Sequence, residues 1–276
     1  MPSNEFALSI VTISFNQAPW LPAMLRSIEA GRRHATIEHI VVDAGSTDGS
    51  RGILSAAGRA IDKLILEPDR GPADGLNKGF AAASGTAVGY INADDMLIPD
   101  GVRAIRAAFT DRTKPDVLVG DGQLIDGEGR LIRRFRTARR PTTRSVALGA
   151  AVVLQQSTFF LRESLPRVPF NVDNRIAWDT ELMLEMLARR ASVRHTPAEL
   201  GAFRIHAAGL TGSGSHWDKV RAEHRRMYER YVGAEWTRWQ DGEYIARRVL
   251  KALGSTAREP SRVVRKIRTG GASSWQ

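Results

Sequence analysis

The stretch YINADDMLIPD, residues 90–100, sets two adjacent carboxylates, Asp94 and Asp95, directly behind an apolar run. Two like charges at the end of a buried strand repel each other. A divalent cation that prefers oxygen ligands would remove that repulsion, and phosphate oxygens would complete its octahedron. The alternative is that one carboxylate caps the helix near Pro99 while the other is solvated. Polar groups of the same kind end the other apolar runs. Thr12, Ser14 and Asn16 close ALSIVTIS, Asp43 closes EHIVVD, Asp69 and Arg70 close KLILEPD, and Asn92 precedes the acid pair.

The elements that must position these groups follow from periodicity. Residues 7–14, 38–43, 63–69 and 86–92 read as strands, and residues 20–31, 72–84 and 99–109 as helices. The turn GSTDGS offers Thr47 or Asp48 as the cap of a further helix from Arg51 onward. Strand and helix in alternation predict an α/β fold with a parallel sheet, in which ligands sit beyond the carboxyl ends of the strands. Beyond residue 115 the pattern changes. DVLVGDG and a hairpin turning at Asp126–Gly129 predict antiparallel additions, and 152–161 is another strand. A helix over 178–190 has Leu182, Met186 and Leu187 on one face, and the short segments SVRHT and GAFRIH follow. The run AAGLTGSGS (207–215) reads as a mobile loop, and beyond it HWDKVRAEHRRMYERYV and YIARRVLKAL read as basic amphipathic helices.

Composition narrows the options. The chain has 276 residues and no cysteine, which excludes disulfides, thiolate nucleophiles and zinc–thiolate sites and fits a reducing compartment. The start MPSNEFALSIVTIS lacks the pattern of a secretory signal, and the longest apolar run, residues 146–154, is too short to span a bilayer. A cytoplasmic location is expected. The net charge is +10, and residues 216–276 carry 14 Lys plus Arg against 7 Asp plus Glu. The basic and aliphatic residues between 247 and 268 suit an anionic membrane surface on the cytoplasmic side; the alternative is packing on the core or on a second subunit, as in a homo-oligomer. The acid cluster argues against nucleic acid as a partner. The first turn, SFNQAP, lacks the G-x-G-x-x-G of a dinucleotide site.

The segments SIVTISFNQAPWL, IVVDAGSTDGS, EPDRGPADGLNKG, YINADD, VGDGQLID, QQSTFF, AWDTELMLEMLARR and FRIH, in this order, resemble the inverting family 2 glycosyltransferases of GT-A type that build bacterial polysaccharides and glycoconjugates. The resemblance runs from about Leu8 to Leu210. It implies a GT-A-like, mostly parallel sheet flanked by helices over residues 1–215, with a nucleotide-sugar half (1–115), an acceptor half (116–215), and a basic helical extension over 216–276. It implies transfer of a sugar from a nucleotide-diphosphate donor, UDP in the commonest case, to a saccharide or lipid-linked acceptor, with Mn2+ or Mg2+ as cofactor.

Position by position, the resemblance assigns Thr12, Ser14 and Asn16 to the nucleotide pocket and Asp43 to the base, with a plain turn role as the alternative for Asp43. Asp69, Arg70 and Asn77 would face the diphosphate and sugar, Arg70 through its planar fork, whereas Asn77 could equally be a helix-surface amide. Asn92, Asp94 and Asp95 would meet donor and metal, joined by His206, although a lone histidine is more often structural. Relatives commonly carry aspartate where Asn92 stands, which removes one charge from the site. Asp179 matches the catalytic base, with Glu181 as its nearest rival and a helix cap as the alternative role; Gln155 and Gln156 match an acceptor-side pair or are ordinary strand amides. A different reading keeps the fold without catalysis, as a module that binds membrane or nucleic acid through its basic tail.

Overall fold

The computed structural model describes residues 6–206 and 217–246. Its first half alternates as the sequence predicts: β1 (Ala7–Ser14), α1 (Leu21–Gly31), β2 (Thr36–Asp43), α2 (Ser50–Ala56), β3 (Lys63–Ile65), α3 (Pro72–Ala82), β4 (Ala87–Tyr90), β5 (Met96–Leu97) and α4 (Gly101–Thr110). The second half contains β6 (Val117–Ile125), β7 (Leu131–Phe135), α5 (Thr143–Ala147), β8 (Thr158–Leu161), α6 (Trp178–Ala188), β9 (Val193–Arg204) and α7 (Trp217–Val232). A further helical stretch occupies 238–246.

The strands form one sheet in the order β3-β2-β1-β4-β8-β6-β9-β5, with β7 paired to β6. The block β3-β2-β1-β4 is parallel throughout. Beyond β4 the sheet is mixed: β8 is antiparallel to β4 and β6, β9 is parallel to β6, and β5 and β7 are antiparallel additions. Two expected strands are shortened, since β3 ends at Ile65 and the segment 152–161 becomes a strand only from Thr158, after a 3-10 turn at Gln155–Ser157. SVRHT and GAFRIH are the two ends of one strand, β9, whose register against β6 slips around Gly120–Gly122. The expected turn at Asp126–Gly129 is present, with Gly129 at φ 84° and its N–H on the Asp126 carbonyl at 3.0 Å.

Strand side chains alternate between faces, and the sheet has a core on each. Leu8, Ile10, Val41, Ala87, Ile91 and Leu118 pack with Leu21 and Met24 of α1 and with Val102 and Ile105 of α4. Val11, Ile40, Val88, Tyr90 and Val117 pack with Leu76 and Phe80 of α3 and with Leu182 and Met183 of α6. Met227 and Tyr228 of α7, with Trp236 and Tyr244, belong to this second core. Packing on the core, the alternative left open for the basic extension, is what these described residues show. Each of these side chains contributes about 1.5–3 kcal/mol by burial, and together they bind residues 217–246 to α5 and α6. The expected loop 207–215 and the basic segment 247–268 lie outside the described residues.

Candidate active site

At the first two strand ends, sequence chemistry has been used to build loops. Asp43 faces Ser14 in the β1–β2 register and is fully buried. Its Oδ1 accepts the N–H groups of Gly45 at 3.1 Å and Ser46 at 2.9 Å and the Arg51 Nε at 2.8 Å; its Oδ2 accepts the Ser46 hydroxyl at 2.5 Å. Burial alone would raise this carboxyl, but the bonds from Arg51 and Ser46 outweigh it and hold it below its ordinary value. Asp43 thus serves the turn, the alternative left open by its sequence context. Asn16 adopts φ 53°, which asparagine tolerates; its N–H donates to Ser46 Oγ at 2.9 Å and its Oδ1 accepts from Thr47 N–H at 2.9 Å. The two loops are thereby tied together below an exposed aromatic ring, Phe15 (59% exposed).

Thr12 does not line this site. Its hydroxyl bonds His39 Nε2 at 3.1 Å and Met24 Sδ at 3.8 Å on the α1 face, fully buried. Ile13, one residue on, points to the opposite face, toward α3. Ser14 is buried with its hydroxyl unpartnered.

At the third strand end, Asp69 Oδ1 accepts Gly71 N–H at 2.9 Å, and burial raises its carboxyl. A Cβ on Gly75 would come within 2.7 Å of Asp69 Oδ2 and 3.2 Å of Ile13 Cγ2, so only glycine lets α3 approach here. Arg70 is loosely held, 3.5 Å from Asp74, with its side chain 73% exposed. Beside it lies Arg175, exposed and without a partner among the described residues, its Nη1 3.7 Å from where a Gly71 Cβ would stand. Asn77 is excluded from the donor side, because its amide grips the Phe170 backbone from both ends, at 2.7 Å to the carbonyl and 3.0 Å from the N–H.

The two acids of the opening motif have separate tasks. Asp95 is 1% exposed. Its Oδ1 accepts Arg204 N–H at 2.9 Å and its Oδ2 accepts Gln156 Nε2 at 2.6 Å and Asn92 Nδ2 at 3.3 Å. Burial, and then the charge of Asp94, push its carboxyl well above the ordinary range. Asp94 keeps its side chain partly open (18%) and has His206 Nε2 on Oδ2 at 3.0 Å. The His206 ring stacks on Trp20 at 3.9 Å, and its Nδ1 is buried without a partner. Gln155 bridges Asn92 Nδ2 (3.2 Å) and the Tyr90 carbonyl (3.2 Å), so both glutamines stand beside the acids. Arg204 locks the group from behind, with Nε on the Asp94 carbonyl at 2.6 Å and Nη1 on the carbonyls of Asp126 and Gly127.

Asp179 lies in the first turn of α6, half-buried, and Ala177 rather than Asp179 occupies the cap position. Its neighbour is the Thr180 hydroxyl at 3.4 Å, and burial raises its carboxyl. Tyr90, at the end of β4, is a buried phenol on the same face of the sheet as α6. This phenol is pushed far up by burial and then by the charges of Asp179 and Asp95, and its hydroxyl lies near Trp178 without a well-formed hydrogen bond. Glu181 is removed as a rival base. Arg226 of α7 grips it at 3.0 and 2.7 Å, Asn174 adds 2.8 Å, and these bonds offset burial and keep the carboxyl below its ordinary value.

Residues 9–167, more than half of the chain, match the Glycosyl transferase family 2. The chain belongs to this family. A glycosyltransferase of Mycobacterium tuberculosis (H37Rv) without an assigned reaction is 31% identical over 227 residues, covering 80% of this chain and 82% of its own length. Among solved structures, TarS 1–349 of S. aureus in complex with UDP superposes with a TM-score of 0.62 at 18% identity, over 86% of this chain and 69% of that one. The mannosyltransferase PcManGT of Pyrobaculum calidifontis, in complex with GDP-Man and Mn2+, gives a TM-score of 0.59 at 16% identity, over 99% and 77%. The fold is that of the GT-A glycosyltransferases, and the non-catalytic reading falls away.

The glycosyltransferase has a donor set that fits a hard divalent cation. Among the described residues no three His, Cys, Asp or Glu side chains converge on one point. Asp94 and His206 do meet, and Asn92 Oδ1, buried and unpartnered, lies beside them. Two protein ligands with room for phosphate oxygens is a common arrangement for Mg2+, and a carboxylate with an imidazole also suits Mn2+. Asp95 spends three of its four lone-pair directions on the protein, where it positions Asn92, Gln156 and the end of β9. Sequence reading missed Arg204, Arg175, Tyr90 and Phe15. All four fall within or beside the quoted motifs, but only burial and missing partners distinguish them.

Proposed function

We propose that this glycosyltransferase moves a sugar, with inversion, from a nucleotide-diphosphate donor to a hydroxyl of a saccharide or lipid-linked acceptor in the synthesis of a surface polysaccharide or glycoconjugate. UDP and GDP-mannose in the structural relatives support the donor class, with UDP the first choice. The observation that carries the reading is the meeting of Asp94 with His206 at 3.0 Å beyond the end of β4, beside Asn92 and the buried Asp95, at the strand ends where a parallel sheet takes its ligand.

In this reading Phe15 stacks on the base and Asn16 bonds the nucleoside above the turn that Asp43 holds. Arg70 and Arg175 present planar forks to the diphosphate. Asp94 and His206 would hold Mn2+ or Mg2+, which when bound neutralises the departing diphosphate. Asp179 takes the proton of the acceptor hydroxyl as its oxygen attacks the anomeric carbon on the face opposite the leaving diphosphate, and its raised basicity suits that task. Gln155 and Gln156 bound the acceptor side. No helix among the described residues is long and apolar enough to cross a membrane; the cysteine-free composition suits a reducing, cytoplasmic compartment.

The test is Asp179→Asn. Loss of a general base lowers transfer by about 10²–10⁴-fold, while the Kd for UDP stays unchanged. Turnover within a few-fold of wild type would assign the proton to another group.

A further inference from the structure

We propose that the arginine-rich edge of the acceptor half, residues 130–144, is a docking surface for the anionic headgroups of a phospholipid bilayer. This stretch, RLIRRFRTARRPTTR, contains seven arginines and no acidic residue. Arginines with a structural task are recognisable by their partners: Arg130 pairs with Asp126 and Glu128, Arg134 with Glu199, and Arg144 with Glu243. Arg136, Arg139 and Arg140 are different. All three are exposed, and none makes a hydrogen bond or ion pair among the described residues.

The backbone that carries them is fixed. Thr137 donates its N–H to Asp121 Oδ1 at 2.9 Å and its hydroxyl to the Gly120 carbonyl at 3.0 Å, and Ala138 N–H meets the Val152 carbonyl at 2.8 Å. Three exposed guanidinium groups are therefore carried on a fixed stretch of backbone beyond β7 with no partner among the described residues to neutralise them. Charges on an edge strand discourage strand-to-strand aggregation, and this accounts for Arg133 and Arg134 on β7. It does not account for arginines beyond the end of that strand.

Apolar groups decide between the anionic partners. Leu131, 49% exposed, stands on the same hairpin, where it can enter the headgroup layer. The aromatic ring of the hairpin, Phe135, has Arg133 stacked over it at 4.1 Å, where a nucleic-acid base would otherwise stack. The edge also adjoins the reaction site. Arg204 bonds the Asp126 and Gly127 carbonyls of the hairpin turn and the Asp94 carbonyl, and Val152 lies three residues before Gln155. A bilayer on this edge would present its acceptor hydroxyls beside the acid pair. Docking itself does not require the proposed reaction.

The experiment uses the full chain, co-sedimented with vesicles of phosphatidylcholine alone or mixed with phosphatidylglycerol. The wild type should bind only the anionic vesicles, less tightly as salt rises. A variant combining Arg136→Ala, Arg139→Ala and Arg140→Ala should bind about 100-fold more weakly, at about a tenfold or smaller loss per arginine, and the corresponding triple lysine variant should retain binding. UDP affinity of the alanine variant should match wild type, which separates failed docking from a failed fold or donor site. Equal sedimentation of wild type and alanine variant would overturn the proposal. So would release from the vesicles by millimolar glycerol phosphate, which would indicate a single phosphate pocket, or tighter binding to duplex DNA than to anionic vesicles.

Discussion

At Asp179 two influences oppose each other: the start of α6 favours a charged carboxylate, and burial disfavours it. Burial wins, and the carboxyl titrates above its ordinary value of 3.8. A base with a raised pKa is active above that pKa and lost as pH falls through it. The acidic limb of kcat/KM should therefore lie above the ordinary carboxylate range; a limb at or below 3.8 would mean that Asp179 is not the group being titrated. The identity of the acids was legible in the sequence because they follow apolar strand runs, although β3 ends four residues before the expected position 69. Which face a residue serves was not. Thr12 and Ile13 differ by one position, and one position in a strand is the difference between the α1 face and the α3 face of the sheet. Asp43 and Asn77 were ambiguous for another reason: an aspartate before a glycine turn and an amide on a helix can serve either a ligand or the backbone, and the structure gives them backbone and side-chain partners at Ser46, Arg51 and Phe170.

Helix α6 carries Asp179, and its position depends on the contact made by Glu181 with α7. Glu181 is 6% exposed and Arg226 38%, so this ion pair is only partly screened by water. Arg226→Ala would leave a buried carboxylate with only Asn171 and Asn174, at a cost of about 2 kcal/mol, below the range for fully buried pairs because of that exposure. Urea denaturation should show this loss, and kcat should fall with it while the Kd for UDP holds. Unchanged stability would mean that α7 does not brace α6. Elements of the parallel block were legible because apolar strand runs and amphipathic helices alternate cleanly. β9 was not, because Pro197 and Gly201 break its pattern into two apparent pieces. Gly201 within it is needed where it is: a Cβ there would stand 2.1 Å from the Gln156 carbonyl, in the turn that presents Gln156 to Asp95.

On the scale of the whole molecule, the described part of the basic C-terminal region is core rather than appendage, which charge and amphipathicity could not reveal because they do not say what an apolar face meets. The sheet also contains a buried neutral histidine with a consequence for pH. His39 lies between Thr12 and the Ala60 carbonyl, and burial lowers its pKa from 6.5 to about 4. Between these values the unfolded chain binds the extra proton, so this contribution is complete above 6.5 and is lost as pH falls toward 4. About 2 kcal/mol should disappear between pH 7 and pH 5, and urea denaturation of His39→Gln should lack that part of the loss; an identical pH dependence in the variant would contradict it. The central claim is that groups from β1, β4, α6 and the end of β9 form one donor site around a divalent cation and a diphosphate. Calorimetric titration of UDP with and without Mn2+, in wild type and Asp94→Asn, tests it most directly. The account expects Mn2+ to tighten UDP by about tenfold or more in the wild type, within the usual range of coupling between two ligands, and not at all in Asp94→Asn. UDP affinity indifferent to Mn2+ in the wild type, or coupling that survives Asp94→Asn, would contradict it.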